Sequence, residues 1–164
     1  MKKVTLLDEL AEQVAAFDDA NATLALNWDQ QHHVFEITID LIAQNKVAQT
    51  ILDATGVSST DKKIEFEDQL LIYDTKRLDG AAYQTDYLAM IPFTGKQGLA
   101  KQQVAAIFSY LEDVVDNGLS DLMTFLNDDA VTTFQLKWDN VAYQAQVAAN
   151  GSIKASDYLP YPRF

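Results

Sequence analysis

Two short motifs place a tryptophan directly before an aspartate, which sets an aromatic ring beside a carboxylate. They read Leu26-Asn-Trp28-Asp29 and Leu136-Lys-Trp138-Asp139. We expect each motif to end a strand and to precede a turn, so that the ring packs in the core and the carboxylate accepts hydrogen bonds from turn N–H groups. The alternative is a pair of aromatic–acid binding sites on one sheet.

A dense group of acidic residues lies in the segment Glu65-Phe-Glu67-Asp68. The strand pattern around it places Asp68 on the apolar face, where burial raises a carboxyl pKa and could produce a general acid. A general acid also needs a partner group and a pocket, and the sequence locates neither. A β-bulge near Glu67 and Asp68 is therefore the favoured interpretation, because it would resolve the conflict of a charge on an apolar face.

The remaining polar motifs lack the spacing of known catalytic or metal sites. His32 and His33 are adjacent, so a strand would point them to opposite faces, and the chain has no cysteine to complete a metal site. The segment Thr94-Gly-Lys-Gln-Gly98 lacks phosphate-loop spacing, and no serine lies in a Gly-x-Ser-x-Gly motif. We therefore predict no cofactor and no metal, with an enzyme as the minority interpretation.

The C-terminal tail offers aromatic side chains for contacts. Pro160 and Pro162 oppose regular structure there, so we expect residues 158–164 to be irregular. Three aromatic residues of this tail could dock in the same chain or in a partner, namely Tyr158, Tyr161 and Phe164.

The net charge restricts the possible partners. The chain has 24 acidic and 12 basic side chains, which gives a formal net charge of −12. This field repels nucleic-acid backbones and anionic membranes, so we predict no direct nucleic-acid partner and no membrane partner. It is compatible with simple solubility, with a basic protein partner and with mimicry of nucleic acid.

The sequence also predicts a cytoplasmic location. It has no apolar run of the roughly 20 residues that a membrane-spanning helix needs. Acidic residues from Asp8 onward follow Met1-Lys-Lys3 too soon for the apolar stretch of a signal peptide.

Apolar periodicity predicts one helix and several strands in the first part of the chain. Leu7, Leu10, Val14 and Phe17 fall on one face of a helix spanning about residues 3–17. Alternating apolar residues then predict strands within residues 23–28, 35–41, 64–72 and 87–93. Residues 43–63 carry no clear pattern, and we expect a mobile loop at residues 56–63.

The second part of the chain shows a strong helical pattern from Val104 to Val115, with Gly118 placed to end the helix. A second short helix is expected within residues 119–126. Two final strands are predicted at residues 134–138 and 141–147, joined by a turn at Asp139-Asn140.

These elements predict a single α+β domain over residues 1–164, in the order α-β-β-(β)-β-α-α-β-β. The sheet is expected to be antiparallel, with four to five or more strands, and the helices to pack on one face. A chain of 164 residues buries roughly 70% of its unfolded surface, so it needs no disulfide or metal to be stable.

Short motifs are spread along nearly the whole chain. They are Leu26-Asn-Trp28-Asp29, Ile64-Glu-Phe66-Glu-Asp68, Asp86-Tyr87-Leu88, Pro92-Phe93, Gly98-Leu99 and Trp138-Asp139. Together they resemble the small acidic proteins of Gram-positive bacteria grouped as domain of unknown function 3013. The resemblance implies no assigned activity, so it transfers no functional residues. The order of elements is also similar, at the level of fold, to secretion-chaperone-like domains, and fold does not imply function.

The sequence thus favours a non-enzymatic protein-interaction or binding module, with another protein or a second copy of the chain as its partner. One alternative is an acidic nucleic-acid mimic that binds a basic protein groove. The least favoured alternative is a carboxylate-based enzyme that uses Glu65, Glu67 or Asp68. The candidate interaction residues are Trp28, Asp29, Asp68, Trp138, Asp139, Tyr158, Tyr161 and Phe164.

Overall fold

A computed structural model describes residues 4–44, 63–83, 85–127 and 135–162. Within these ranges the helices are α1 (Leu6–Ala16), α2 (Lys101–Asn127) and α3 (Asn140–Ala149). The strands are β1 (Ala22–Asp29), β2 (Val34–Gln44), β3 (Lys63–Asp74), β4 (Ala89–Phe93), β5 (Leu99–Ala100) and β6 (Tyr158–Leu159). Short 3-10 turns lie at Gly80–Tyr83, Gly95–Gln97 and Ala155–Asp157. The predicted α+β class is confirmed.

The main sheet has the strand order β1-β2-β3-β4. The first two pairings are antiparallel, as predicted, but β3 and β4 pair in parallel, so the sheet is mixed. The described residues of the connection, 75–83 and 85–88, do not form a hairpin, and β4 begins opposite Leu70 and runs in the same direction as β3. Along this connection the Tyr87 hydroxyl donates a hydrogen bond to Glu36 Oε2 at 3.0 Å.

The alternating residues of β2 divide the sheet into a core face and an outer face. Phe35, Ile37 and Ile39 are fully buried, while Glu36 and Thr38 between them are only half-buried. Helices α1 and α2 contribute further buried apolar side chains to the same hydrophobic core. The period-two pattern of this strand therefore predicted both its conformation and its buried face.

The ladder between β2 and β3 runs without interruption from the pair Val34–Tyr73 to the pair Gln44–Lys63. The predicted bulge near Asp68 is therefore wrong. Asp68 pairs with the fully buried Ile39, which places its side chain on the core face of the sheet. The carboxylate therefore does lie on the apolar face, where an open cleft leaves it half-buried rather than fully buried.

The predicted C-terminal hairpin is wrong, because Asn140–Ala149 is the helix α3. Tyr143 and Val147 are buried and lie four residues apart, whereas Val141 is 78% exposed. The buried positions thus follow the helical period rather than the period of two. Asp139 is not a hairpin turn residue but the N-cap of α3, where its Oδ1 accepts from the Val141 N–H at 2.9 Å.

The predicted break at Gly118 is also wrong, since α2 continues through this residue to Asn127. A glycine inside a helix costs about 1 kcal/mol relative to alanine. Here it permits close packing, because a Cβ atom at this position would overlap Leu136 Cδ2 and lie 3.3 Å from Leu41 Cδ1. The sequence rule for helix ends did not anticipate this tertiary contact.

The C-terminal segment is more ordered than its prolines predict. Tyr158 and Leu159 form β6, which pairs antiparallel with β5, so the irregular part of the described tail begins at Pro160. The Leu6 N–H donates to the Pro160 carbonyl at 2.8 Å, and the Tyr161 N–H donates to the Lys96 carbonyl at 3.1 Å. These bonds tie the tail to the start of α1 and to the 3-10 turn before β5. The loop predicted at residues 56–63 lies outside the described residues except for Lys63, which begins β3.

Candidate functional site

An open cleft of about 420 Å³ lies beside the first half of β3. Strand β4 begins only at Ala89, opposite Leu70, so among the described residues no strand pairs with the Asp68 portion of β3 on the side away from β2. The cleft is lined by Asp68, Thr85, Asp86, Tyr87, Leu88, Gln135, Leu136, Lys137 and Trp138. Two of the residues singled out in the sequence, Asp68 and Trp138, therefore meet at one site.

Three chain segments position this lining. Asp68 projects from β3, residues 85–88 end the connection into β4, and residues 135–138 run just ahead of α3. The last segment is anchored by Leu136, which is buried in the space left by Gly118. The end of the preceding connection is fixed by the Leu88 N–H, which donates to the Gln69 carbonyl at 2.8 Å.

Asp68 is a half-buried carboxylate without an ionic partner among the described residues. Its Oδ1 accepts from the N–H of Gln69 at 2.8 Å. Burial raises the pKa of Asp68 above its usual value, and the hydrogen bond from the Gln69 N–H, together with the nearby N–H dipole of Leu88, opposes that rise. A cation or a hydrogen-bond donor that enters the cleft therefore stabilises the charged form of this carboxylate.

Trp138 forms an aromatic wall of the cleft and is half-buried. Its ring meets Tyr110 edge-on, with centroids 4.7 Å apart, and lies 5.4 Å from the Tyr143 ring. The Tyr110 hydroxyl accepts a hydrogen bond from the Asp139 N–H at 2.9 Å, which holds the start of α3 beside the Trp138 ring. Asp139 thus acts as a cap and a support for Trp138 rather than as part of the cleft lining.

Tyr87 and Asp86 also line the cleft, and the sequence did not single them out as site residues. Burial and the hydrogen bond to Glu36 raise the pKa of Tyr87 to about 12. The hydroxyl therefore stays protonated and fixed to the outer face of the sheet. The sequence carried no signal for this role, because the periodicity placed Tyr87 within a strand.

The first tryptophan motif lies in a different aromatic cluster that closes over the C-terminal tail. Trp28 Nε1 donates to the Tyr161 hydroxyl at 2.7 Å. The Tyr161 ring stacks on His33 with centroids 4.6 Å apart, and on Phe93 at 5.7 Å. Of the two docking modes left open for the tail, Tyr161 uses the one within its own chain. The two tryptophan motifs are therefore not equivalent sites on one sheet.

The other predicted residues have local roles. Asp29 accepts a hydrogen bond from the His32 N–H at 3.1 Å and lies 2.7 Å from His32 Nδ1, and the ring contact lowers the pKa of Asp29. Tyr158 is part of β6. Phe164 lies outside the described residues.

A second recess, of about 480 Å³, lies at residues 73–80 and includes Lys76 and Arg77. The buried carboxylate beside it, Asp74, accepts from the Lys76 N–H at 2.9 Å and the Gly95 N–H at 3.0 Å. This carboxylate therefore holds two turns together, a role that the sequence analysis missed. The recess contains none of the predicted site residues, and its carboxylate is already satisfied by backbone donors.

The described lining of the cleft offers carboxylate, hydroxyl, amide, amine and indole groups, and it includes no histidine, serine or cysteine. Glu67 and Asp68 are neighbours on a regular strand, so their side chains point to opposite faces and do not form a carboxylate pair. Among the described residues no group of three His, Asp or Glu side chains is placed to hold a metal ion.

One known protein family matches nearly the whole chain. The family model described as "Protein of unknown function (DUF3013)" matches residues 1–163. The chain belongs to this family. The resemblance inferred from the short motifs is thereby confirmed, and the family description assigns no activity.

A solved structure with a similar fold is described as a conserved protein of unknown function from Enterococcus faecalis. It is 32% identical in sequence with a TM-score of 0.79, and the alignment covers 99% of this chain and 98% of the other. No curated protein matches the sequence. None of the helices in the described part of the chain is long and apolar enough to cross a bilayer.

Proposed function

We propose that this protein is a non-enzymatic interaction module that binds a basic segment of a partner protein in the Asp68–Trp138 cleft. The observation that carries the proposal is the position of Asp68. Its carboxylate lies half-buried on the core face of β3, at an open cleft, without an ion pair to a described residue. Such a group is unfavourable in the free protein and becomes favourable when a cation pairs with it.

Two other lining residues suit a lysine or arginine side chain, whereas the exposed Lys137 of the same lining opposes a second cation. Trp138 offers an aromatic surface on which a cation and its aliphatic stem can lie, an arrangement that contributes about 0.5–2 kcal/mol. Asp86 adds a second acidic group at the rim. The volume of about 420 Å³ falls in the range of sites that hold small ligands, so it has room for one such side chain.

The charge of the whole molecule supports the same partner. A net charge of −12 attracts a basic segment over a distance of about 10 Å at moderate salt and raises the association rate. Binding by this route weakens as salt increases, because the long-range part of the attraction is screened.

The acidic-mimic alternative receives less support from the distribution of charge. Many of the described acidic side chains are spread over α1, the outer face of the sheet and α2, for example Glu12, Glu67 and Glu112. A mimic of nucleic acid needs a row of carboxylates on one continuous face at phosphate-like spacing. We therefore favour recognition at a single cleft over recognition by an extended acidic surface.

An NMR titration with an oligo-lysine peptide tests this proposal. The indole N–H signal of Trp138 reports on the cleft, and that of Trp28 serves as an internal reference because it is bonded to Tyr161. We expect the Trp138 signal to shift and saturate while the Trp28 signal stays in place. An oligo-glutamate peptide is expected to shift neither signal.

The matched variants are Asp68→Asn and Asp121→Asn, which change the net charge equally. Asp121 is exposed on α2, and the asparagine at position 68 keeps an oxygen that can accept from the Gln69 N–H. We expect Asp68→Asn to weaken peptide binding about three- to tenfold, which corresponds to ~1 kcal/mol. Equal weakening by both variants would show that the attraction is general rather than directed to the cleft, and the proposal would be wrong.

A further inference from the structure

Strand β1 forms an edge of the main sheet. Among the described residues, the pairing found on its outer side is a single bridge between Asp19 and Ala22 at its start. The strand pairs with β2 over all eight residues without a bulge. A long, regular strand edge is a template for pairing with a further strand.

The alternation of hydrogen bonds between β1 and β2 determines which main-chain groups of β1 point to the open side. The Ile42 N–H donates to the Asn21 carbonyl at 2.7 Å, which marks a hydrogen-bonded pair in line with the ladder. Such pairs alternate along an antiparallel ladder, so Ala25 also bonds inward to β2. The main-chain N–H and carbonyl groups of Leu24 and Leu26 therefore point away from the sheet, toward the open edge.

The side chains along this edge lack the usual protection against pairing. From Ala22 to Trp28 there is no charged residue, no proline and no glycine. Natural edge strands commonly carry lysine, proline or a bulge that prevents association with another strand. In a chain with a net charge of −12, this uncharged strip is a place where two copies can approach without direct repulsion between opposed side chains.

We propose that β1 is a self-association surface, on which a second copy of this chain adds its own β1 in antiparallel orientation. The two-fold axis passes between the two Ala25 residues, so Leu24 of each copy pairs with Leu26 of the other. Each of these pairs exchanges both main-chain hydrogen bonds. On the outer face, Thr23 lies opposite the second copy's Asn27, and the small Ala25 side chains meet at the centre.

This register places no like charges opposite each other. Asp29, the first charged residue after the strip, falls opposite Asn21 of the second copy. The half-exposed side chains of Leu24 and Leu26 become cross-strand neighbours on the core face, which continues the apolar surface from one sheet into the next. The product is one continuous sheet shared by the two copies, and it leaves the Asp68–Trp138 cleft outside the contact because β2 lies between β1 and β3.

Sedimentation velocity on the full chain tests this proposal. We expect the wild-type protein to form a dimer that strengthens as salt is added, because salt screens the repulsion between the two acidic copies. A purely monomeric protein up to about 1 mM would overturn the proposal, including the case in which β1 accepts a strand only from a different protein.

Charge substitutions at the axis test the register. Ala25 is exposed in the free chain, so Ala25→Glu leaves folding intact but sets two carboxylates against each other in the dimer. We expect at least about a tenfold rise in the dimer dissociation constant. The same substitution at the exposed Ala105 of α2 is the control and is expected to leave association unchanged.

A mixture of two variants completes the test. Ala25→Lys is expected to dissociate like Ala25→Glu when it is alone. An equimolar mixture of the two is expected to recover the dimer, because opposite charges then meet at the axis. If the mixture stays monomeric while the wild type dimerises, or if Ala25→Glu dimerises as well as the wild type, the proposed surface is wrong.

Discussion

The substitution Gly98→Ala is expected to destabilise the protein strongly, because Gly98 lies where the C-terminal tail closes over the core. Its φ of 69° is in the region that favours glycine. A Cβ atom there would overlap the Leu159 carbonyl oxygen and lie 3.2 Å from the Pro160 carbonyl carbon. The backbone cannot absorb this overlap by a rotamer change, so β6 must move away from β5.

The magnitude follows from two contributions. The left-handed backbone costs a residue with a Cβ about 1–2 kcal/mol. Displacing the tail also removes the hydrogen bonds from Leu6 to Pro160 and from Tyr161 to Lys96, each with a net contribution of about 1 kcal/mol. The sum is about 3–4 kcal/mol of unfolding free energy, a large part of the roughly 5–15 kcal/mol of a typical domain.

Urea unfolding of Gly98→Ala and Gly151→Ala provides the measurement and its control. Gly151 has a φ of 102°, but a Cβ atom there would meet nothing within 4 Å. It therefore carries the backbone cost without the steric overlap. We expect Gly98→Ala to lose at least ~2 kcal/mol more than Gly151→Ala. Equal losses would refute the conclusion that the tail packs against Gly98.

Three further outcomes are expected. Gly118→Ala should lower stability by about 1–3 kcal/mol in urea unfolding despite its better helix propensity, because the new methyl group overlaps Leu136; a stabilised variant would contradict the packing. Asp139→Ala should cost about 1 kcal/mol through loss of the α3 N-cap, whereas Asp139→Asn should cost less, and equal costs would refute the capping role. Burial and the nearby Arg77 lower the pKa of His33 in the folded protein below the ordinary value of 6.5. The unfolded chain therefore takes up the proton first as the pH drops below 6.5, and the free energy of unfolding should fall over that range. His33→Asn tolerates the positive φ of 56° and should lose less stability over that range in thermal melts; identical pH profiles would contradict this reasoning.

The strands of the first half were predictable because one side of each faces the core and the other faces solvent. In β2 the burial alternates from Phe35 to Leu41, so the sequence period directly reflects the structure. The strand prediction for the C-terminal region was wrong because apolar residues there do not all face the core. Val141 and Ala145 are apolar but exposed, and they completed a false alternation with the buried Tyr143 and Val147.

The candidate site was predictable only in part. Asp68 stood out because its parity placed a charge on an apolar face, and the regular ladder shows that the parity was correct. Its meeting with Trp138 depends on a contact between segments far apart in the sequence, which periodicity does not encode. The repeated Trp-Asp motif was misleading, because Trp28 packs under the tail while Trp138 lines the cleft.

The most direct test of the central claim is an NMR measurement of the pKa of the Asp68 carboxyl group. The signal of its side-chain carboxyl carbon is titrated with pH, with and without the oligo-lysine peptide. Burial predicts a pKa above the ordinary 3.8 in the free protein. Binding of a cation in the cleft should lower it again, since the cation favours the charged form, and peptide affinity should weaken as pH falls through this pKa. A pKa at or below the ordinary value that does not respond to the peptide would contradict the account.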